Sequence, residues 1–118
     1  MENNSTWHTQ FSKGILELTI LVILKKRPMY GYEITQSIRQ DGVLHVGNGS
    51  IYPILRRLVE QEWISAYEEE HAGRTRKYYQ LTKDGQTQLT ARLTYTKELM
   101  HMLTRLDEEG ADDAVSDN

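Results

Sequence analysis

Between residues 15 and 24 the chain reads ILELTILVIL, and Ile15, Leu16, Leu18, Ile20, Leu21, Ile23 and Leu24 leave almost no polar face on a helix. That is the pattern of a central buried helix, and Pro28 ends it. Upstream, the polar stretch 1–12 carries Trp7 and Phe11 four residues apart, which predicts a short, loosely held N-terminal helix or arm. A second helix is expected over 30–40, where Ile34 and Ile38 share a face and Gly42 supplies the stop. Ile51, Ile54, Leu55, Leu58 and Val59 then repeat at helical spacing, so 50–62 is an amphipathic helix with Arg56, Arg57 and Glu60 on its wetter side. Pro53 dates its beginning, because proline is tolerated only where the backbone N–H lacks an intrahelical partner. With Ser50 as N-cap, Pro53 is the third helical residue, and Gly47 and Gly49 allow a tight turn before it.

Two alternating stretches follow, WISAYEEE and RTRKYYQL, joined by a turn around Gly73. The alternation sends Tyr79 and Leu81 toward the core and Arg74, Arg76 and Tyr78 the other way, with Lys77 at the rim. Beyond Gly85, Leu89, Leu93, Met100 and Leu103 fall on a heptad seam interrupted by Thr96 and flanked by Leu99, Met102 and Leu106. A lone helix with such a stripe needs a cover, and a second copy of the chain is the economical one. The expected fold is mainly α with a small β-hairpin wing: a winged helix-turn-helix over 13–82, a dimerisation helix over 83–106, and an acidic, disordered tail over 107–118.

Charge refines this picture. The net charge is -3, yet residues 107–118 hold Asp107, Glu108, Glu109, Asp112, Asp113 and Asp117 with no base. Residues 13–106 consequently carry all 14 bases against ten acids, a balance that suits a polyanion or an ordinary solvated surface equally. There is no cysteine, so no disulfide, zinc-thiolate site or thiol nucleophile exists. The apolar run 15–24 is about half of the roughly 20 residues that span a bilayer, and Lys25, Lys26 and Arg27 stand where a cleavage site would need small residues. A cytoplasmic protein without a membrane partner is expected. His8, His45, His71 and His101 lack metal-site spacing, and no nucleophile-elbow or phosphate-loop sequence is present. Neither an enzyme nor a cofactor is expected. Glu68, Glu69 and Glu70 alternate in direction along a strand and read as a solvated edge.

The segments YGYEI (30–34), GSIYPILRRL (49–58), Trp63-Ile64, GRTRKYYQLT (73–82) and Gly85, in this order and spacing, resemble the PadR family of bacterial transcriptional regulators. The length resembles the small subfamily with a single C-terminal dimerisation helix. The resemblance implies a homodimer that binds a double-stranded DNA operator with two winged helices, represses transcription, and is released by a small aromatic or cationic compound.

A recognition helix must seat its first residues deep in the major groove, and an abrupt start after a glycine turn permits this. Ser50 and Tyr52 are placed for phosphate or base-edge contacts, with Arg56 one turn on and Tyr32 of the YGYEI segment added to the set. Tyr52 serves equally as a packing residue, and Arg57 faces either DNA or a carboxylate. By resemblance, Arg74, Thr75, Arg76 and Lys77 reach the flanking minor groove or its phosphates. Leu89, Leu93, Met100, Leu103 and Leu106 form the dimer seam. Trp7, Phe11, Tyr95, Leu99 and Met102 either wall an inducer pocket at the seam or fill the dimer core. The rival to a DNA-binding regulator is an adaptor whose winged helix binds protein.

Overall fold

The protein is described by a computed structural model covering residues 4–47 and 49–116. The elements in chain order are α1 (Asn4–Leu24), β1 (Met29–Tyr30), α2 (Gly31–Asp41), α3 (Tyr52–Glu60), β2 (Ile64–His71), β3 (Arg74–Leu81) and α4 (Lys83–Ser116). This is the winged helix-turn-helix with a long C-terminal helix.

The expected N-terminal helix and the apolar helix are one unbroken α1. A lone Gly14 costs only about 1 kcal/mol relative to alanine, and extending a helix already nucleated and packed is cheap. Ile20 and Leu21 of α1 are fully buried with Ile34 of α2, Ile51, Leu55 and Leu58 at α3, Ile64 of β2 and Leu89 of α4. The apolar spacing seen in the sequence is therefore the spacing of one shared core.

β3 is the central strand, with β2 on one edge and the two-residue β1 on the other, paired as Met29 with Tyr79 and Tyr30 with Tyr78. β1 had no counterpart in the sequence reading. The β2–β3 turn has positive φ at both Ala72 (53°) and Gly73 (80°), the geometry whose twist matches a tight hairpin.

α4 is held at its start by a device around Thr82. Its hydroxyl accepts a hydrogen bond from the Gly85 N–H at 3.0 Å and donates to the Glu62 carbonyl at 2.7 Å, which ties the cap to the end of α3. A β-carbon at Gly85 would run into the Trp63 carbonyl, so only glycine allows the helix this close. Farther on, α4 passes Leu106 and runs to Ser116, through most of the segment expected as a disordered tail. No proline intervenes, Gly110 alone does not stop a helix, and Arg105 pairs with Glu109 one turn on at 3.6 Å. Residues 117 and 118 of that tail lie outside the described residues. The helix gives the molecule its elongation, 70 × 34 × 21 Å. No helix among the described residues is long and apolar enough to cross a membrane.

Candidate nucleic-acid interface

α3 begins one residue later than its sequence suggests. Ile51, not Ser50, occupies the cap position, and Ser50 sits in the preceding turn, its N–H bonded to the Gly47 carbonyl at 3.2 Å. Gly49, at φ 79°, supplies the left-handed residue, and Tyr52 N–H closes back on its carbonyl at 3.3 Å. Pro53 thus falls in the first turn, where it breaks no hydrogen bond. Ser50 and Arg56 are exposed and Tyr52 is 44% exposed at the head of the helix.

Tyr52 packs although it stays partly exposed. Its ring lies on Gly31, the first residue of α2, where an added β-carbon would come within 2.6 Å of the ring and hydroxyl. The neighbouring Tyr32 is 61% exposed. Tyr52 and Arg56 also border Tyr79 on β3: burial first, then the Tyr52 phenol, push the Tyr79 hydroxyl pKa up, and Arg56 partly opposes them. Tyr79 itself is core, as the alternation predicts.

The wing divides its candidates between two faces. Lys77 and Thr75 share the Tyr79 side and are exposed. Arg76 and Arg74 alternate to the outer side. There the Arg76 guanidinium stacks on the Tyr30 ring, 4.3 Å from its centroid, and its Nε is buried without a hydrogen-bond partner. Tyr78 packs edge-on to Tyr30 and stacked against Tyr67, with centroids 5.5 and 5.7 Å apart. Burial, Glu33 and Glu69 raise the Tyr78 pKa, with Arg76 lowering it in part. Arg76, half-buried, thus packs on Tyr30, on the side away from Tyr52 and Arg56.

Strand register adds a charge relation invisible in the linear sequence. Glu68 stands opposite Lys77, Glu69 opposite Arg76, and Glu70 opposite Thr75. Two carboxylates thus stand opposite two bases, Arg74 stands opposite His71, and with Glu70 beside them the three acids of β2 balance the three bases of β3, so the wing is close to self-neutral.

Glu17, which the sequence shows only as an interruption of an apolar run, joins three helices. Its Oε2 accepts from Nε and Nη2 of Arg57 at 3.2 and 3.0 Å, and its Oε1 from Arg92 Nη1 at 2.6 Å. Arg57 therefore faces a carboxylate. Arg92 lies over the Trp63 ring, 4.4 Å from the centroid. The link runs from α3 through α1 to α4.

Along α4 the seam residues separate. Leu89 is 1% exposed and belongs to the chain's own core, because the first turns of α4 pack on α1; Leu93 is half-buried beside it. Met100, Leu103 and Leu106 are 51%, 50% and 49% exposed, on the part of the helix that projects beyond the domain. Tyr95 and Leu99 are exposed and Met102 half-buried. Trp7 and Phe11 are also exposed, and their rings stack with centroids 5.4 Å apart. Among the described residues no cluster of His, Cys, Asp and Glu is arranged to hold a metal ion.

Residues 20–91 match the model of the transcriptional regulator PadR-like family. A PadR-like transcriptional regulator from Bacillus cereus is 33% identical in a superposition covering 82% of this chain and 95% of that one, at a TM-score of 0.76. A PadR-like transcription factor from Bacteroides fragilis is 33% identical over 88% of this chain and 99% of its own, at 0.70. An uncharacterised protein of Lysinibacillus sphaericus is 33% identical over 81 residues, 66% of this chain and 74% of that protein. The matched segment contains the Gly31–Tyr52 contact, the α3 head, the wing and the Thr82 cap, and the chain belongs to the PadR-like family of transcriptional regulators.

Proposed function

We propose that the protein is a cytoplasmic homodimer that binds an operator through α3 and the wing, represses transcription, and is released by a small aromatic or cationic compound. The observation that carries this reading is the pairing of two exposed surfaces. The α3 head presents Ser50, Tyr52 and Arg56 with Tyr32 beside them, and the far end of α4 presents an apolar stripe that a single chain leaves uncovered. A two-fold copy covering the stripe would set two α3 heads against successive major grooves, about 34–36 Å apart on a duplex. Thr75, Lys77 and Arg74 would meet the flanking backbone, whereas Arg76 would brace the wing from behind. The inducer would enter at the seam, where Trp7, Phe11, Tyr95, Leu99 and Met102 supply flat and polarizable walls.

Fluorescence anisotropy with the DNA upstream of the protein's own gene, repeated over a salt series, tests it. Arg56→Ala and Lys77→Ala should each flatten the salt slope by about 1 per lost phosphate contact, and Tyr52→Phe or Ser50→Ala should change which sequence is preferred. Affinity independent of salt, or slopes identical to wild type in both arginine and lysine variants, would favour the adaptor reading instead. The self-neutral wing is the observation on that side.

A further inference from the structure

A second surface is unrelated to the α4 seam. Between α1 and α3, roofed by the α2–α3 loop, lies a cleft of about 910 Å³, within the range that holds small ligands. Its floor is apolar, formed by Leu16, Leu44 and Ile54. Three bases converge on it from three different elements: Lys13 of α1, Arg39 of α2 and Arg57 of α3. Among the described residues that line it there is no carboxylate, and Glu17 stands behind Arg57.

We propose that this cleft binds a small amphiphilic organic anion, an apolar ring or chain bearing a carboxylate, with the body on Leu16 and Ile54 and the carboxylate at Lys13 and Arg57. The two guanidiniums are already held in place. Arg57 is fixed by Glu17, and Arg39 donates from Nε and Nη2 to the Val46 carbonyl at 3.3 and 3.2 Å, so an arriving anion has little side-chain entropy to remove. The Lys13 ammonium has no ion pair among the described residues, and Ser12, only 7% exposed, adds a hydroxyl at the wall. A nucleic-acid phosphate has no use for the apolar floor. Ser50 stands on the rim that the cleft shares with the α3 head, but Ile54 and Arg57 are on the α1 flank of α3, whereas Tyr52 and Arg56 are on the Tyr79 flank. The site differs in place from the one proposed at the seam, and its guest is required to be an anion. Its coupling to DNA, which rests on the regulator reading, would run through the 42–47 loop that feeds the α3 head. The binding itself does not depend on that reading.

Amide NMR of the full-length chain, without DNA, tests the site with naphthoate as the anion and naphthamide and naphthylmethylammonium as its neutral and cationic counterparts. Naphthoate should shift Ser12, Leu44 and Ile54 saturably, and both counterparts should bind more weakly. Lys13 is exposed, so Lys13→Glu keeps the fold; it should weaken naphthoate about tenfold, while Lys97→Glu, the same charge change on α4, leaves it within about twofold. Shifts confined to Trp7, Tyr95 and the later turns of α4 overturn the proposal. So do equal affinity for naphthamide, an unaltered Lys13→Glu, or no saturable shift at millimolar naphthoate.

Discussion

Replacing Glu17 by glutamine keeps the side chain's size and removes its charge. Two guanidiniums that shared one carboxylate are then left side by side, Arg57 with its side chain 51% exposed and Arg92 with 42%. Because both still reach water, neither pair merits the value of a buried ion pair; about 1 kcal/mol each is appropriate, for a total near 2 kcal/mol. For a chain of this size that lowers the midpoint of thermal unfolding by roughly 6–12 °C. The measurement is circular dichroism on heating, at one fixed protein concentration because any self-association would shift the midpoint. Arg92→Met supplies the control. If the cost in Glu17→Gln comes from the network, the double variant should be less destabilised than the sum of the single ones, since removing Arg92 relieves one unpaired charge and leaves an apolar side chain on Trp63. A Glu17→Gln protein within about 0.5 kcal/mol of wild type, or strictly additive variants, would refute the view that Glu17 joins the three helices energetically.

Leu103→Asp should convert a dimer at micromolar concentration into a folded monomer in the ultracentrifuge, since the seam would bury an unpaired charge; a wild-type monomer refutes the seam. Gly31→Ala should displace the Tyr52 ring from its seat and lower operator affinity roughly tenfold, the worth of one good base contact. Its unfolding temperature should hardly move, because a ring already 44% exposed can swing into water; equal operator affinity counts against Tyr52 as a contact. Tyr79 keeps its proton more firmly in the folded state, so its contribution to stability is full below the ordinary value of 10.0 and declines as pH rises through the raised folded pKa. Denaturant titrations across that alkaline window should show a shallower loss for Tyr79→Phe than for wild type, and parallel curves would contradict the assignment.

Periodicity made the core legible because burial there repeats locally: Ile34 with Ile38, and Ile51, Leu55 and Leu58, recur at helical spacing, and β3 alternates. It failed where one pattern serves two partners. Leu89 obeys the heptad yet packs on its own α1, and only the three-dimensional path of α4 shows where that contact ends and the bare stripe begins. A two-residue strand such as β1 is too short to alternate, so nothing announced that Tyr30 would lie against β3 and receive Arg76. Glu17 is 40 residues from Arg57 and 75 from Arg92, beyond any local pattern. These omissions share a consequence for recognition. The excess of bases over acids in residues 13–106 overstates the positive charge open to a polyanion, because Arg57 and Arg92 share a carboxylate and Lys77 and Arg76 stand opposite Glu68 and Glu69. Arg56 is left as the principal cation at the α3 head, flanked by Tyr32, Ser50 and Tyr52, which carry hydroxyls and no charge. If the proposed interface forms, it would gain less from counterion release than the composition suggests, and its discrimination between operators would rest more on those hydroxyls and rings than on charge.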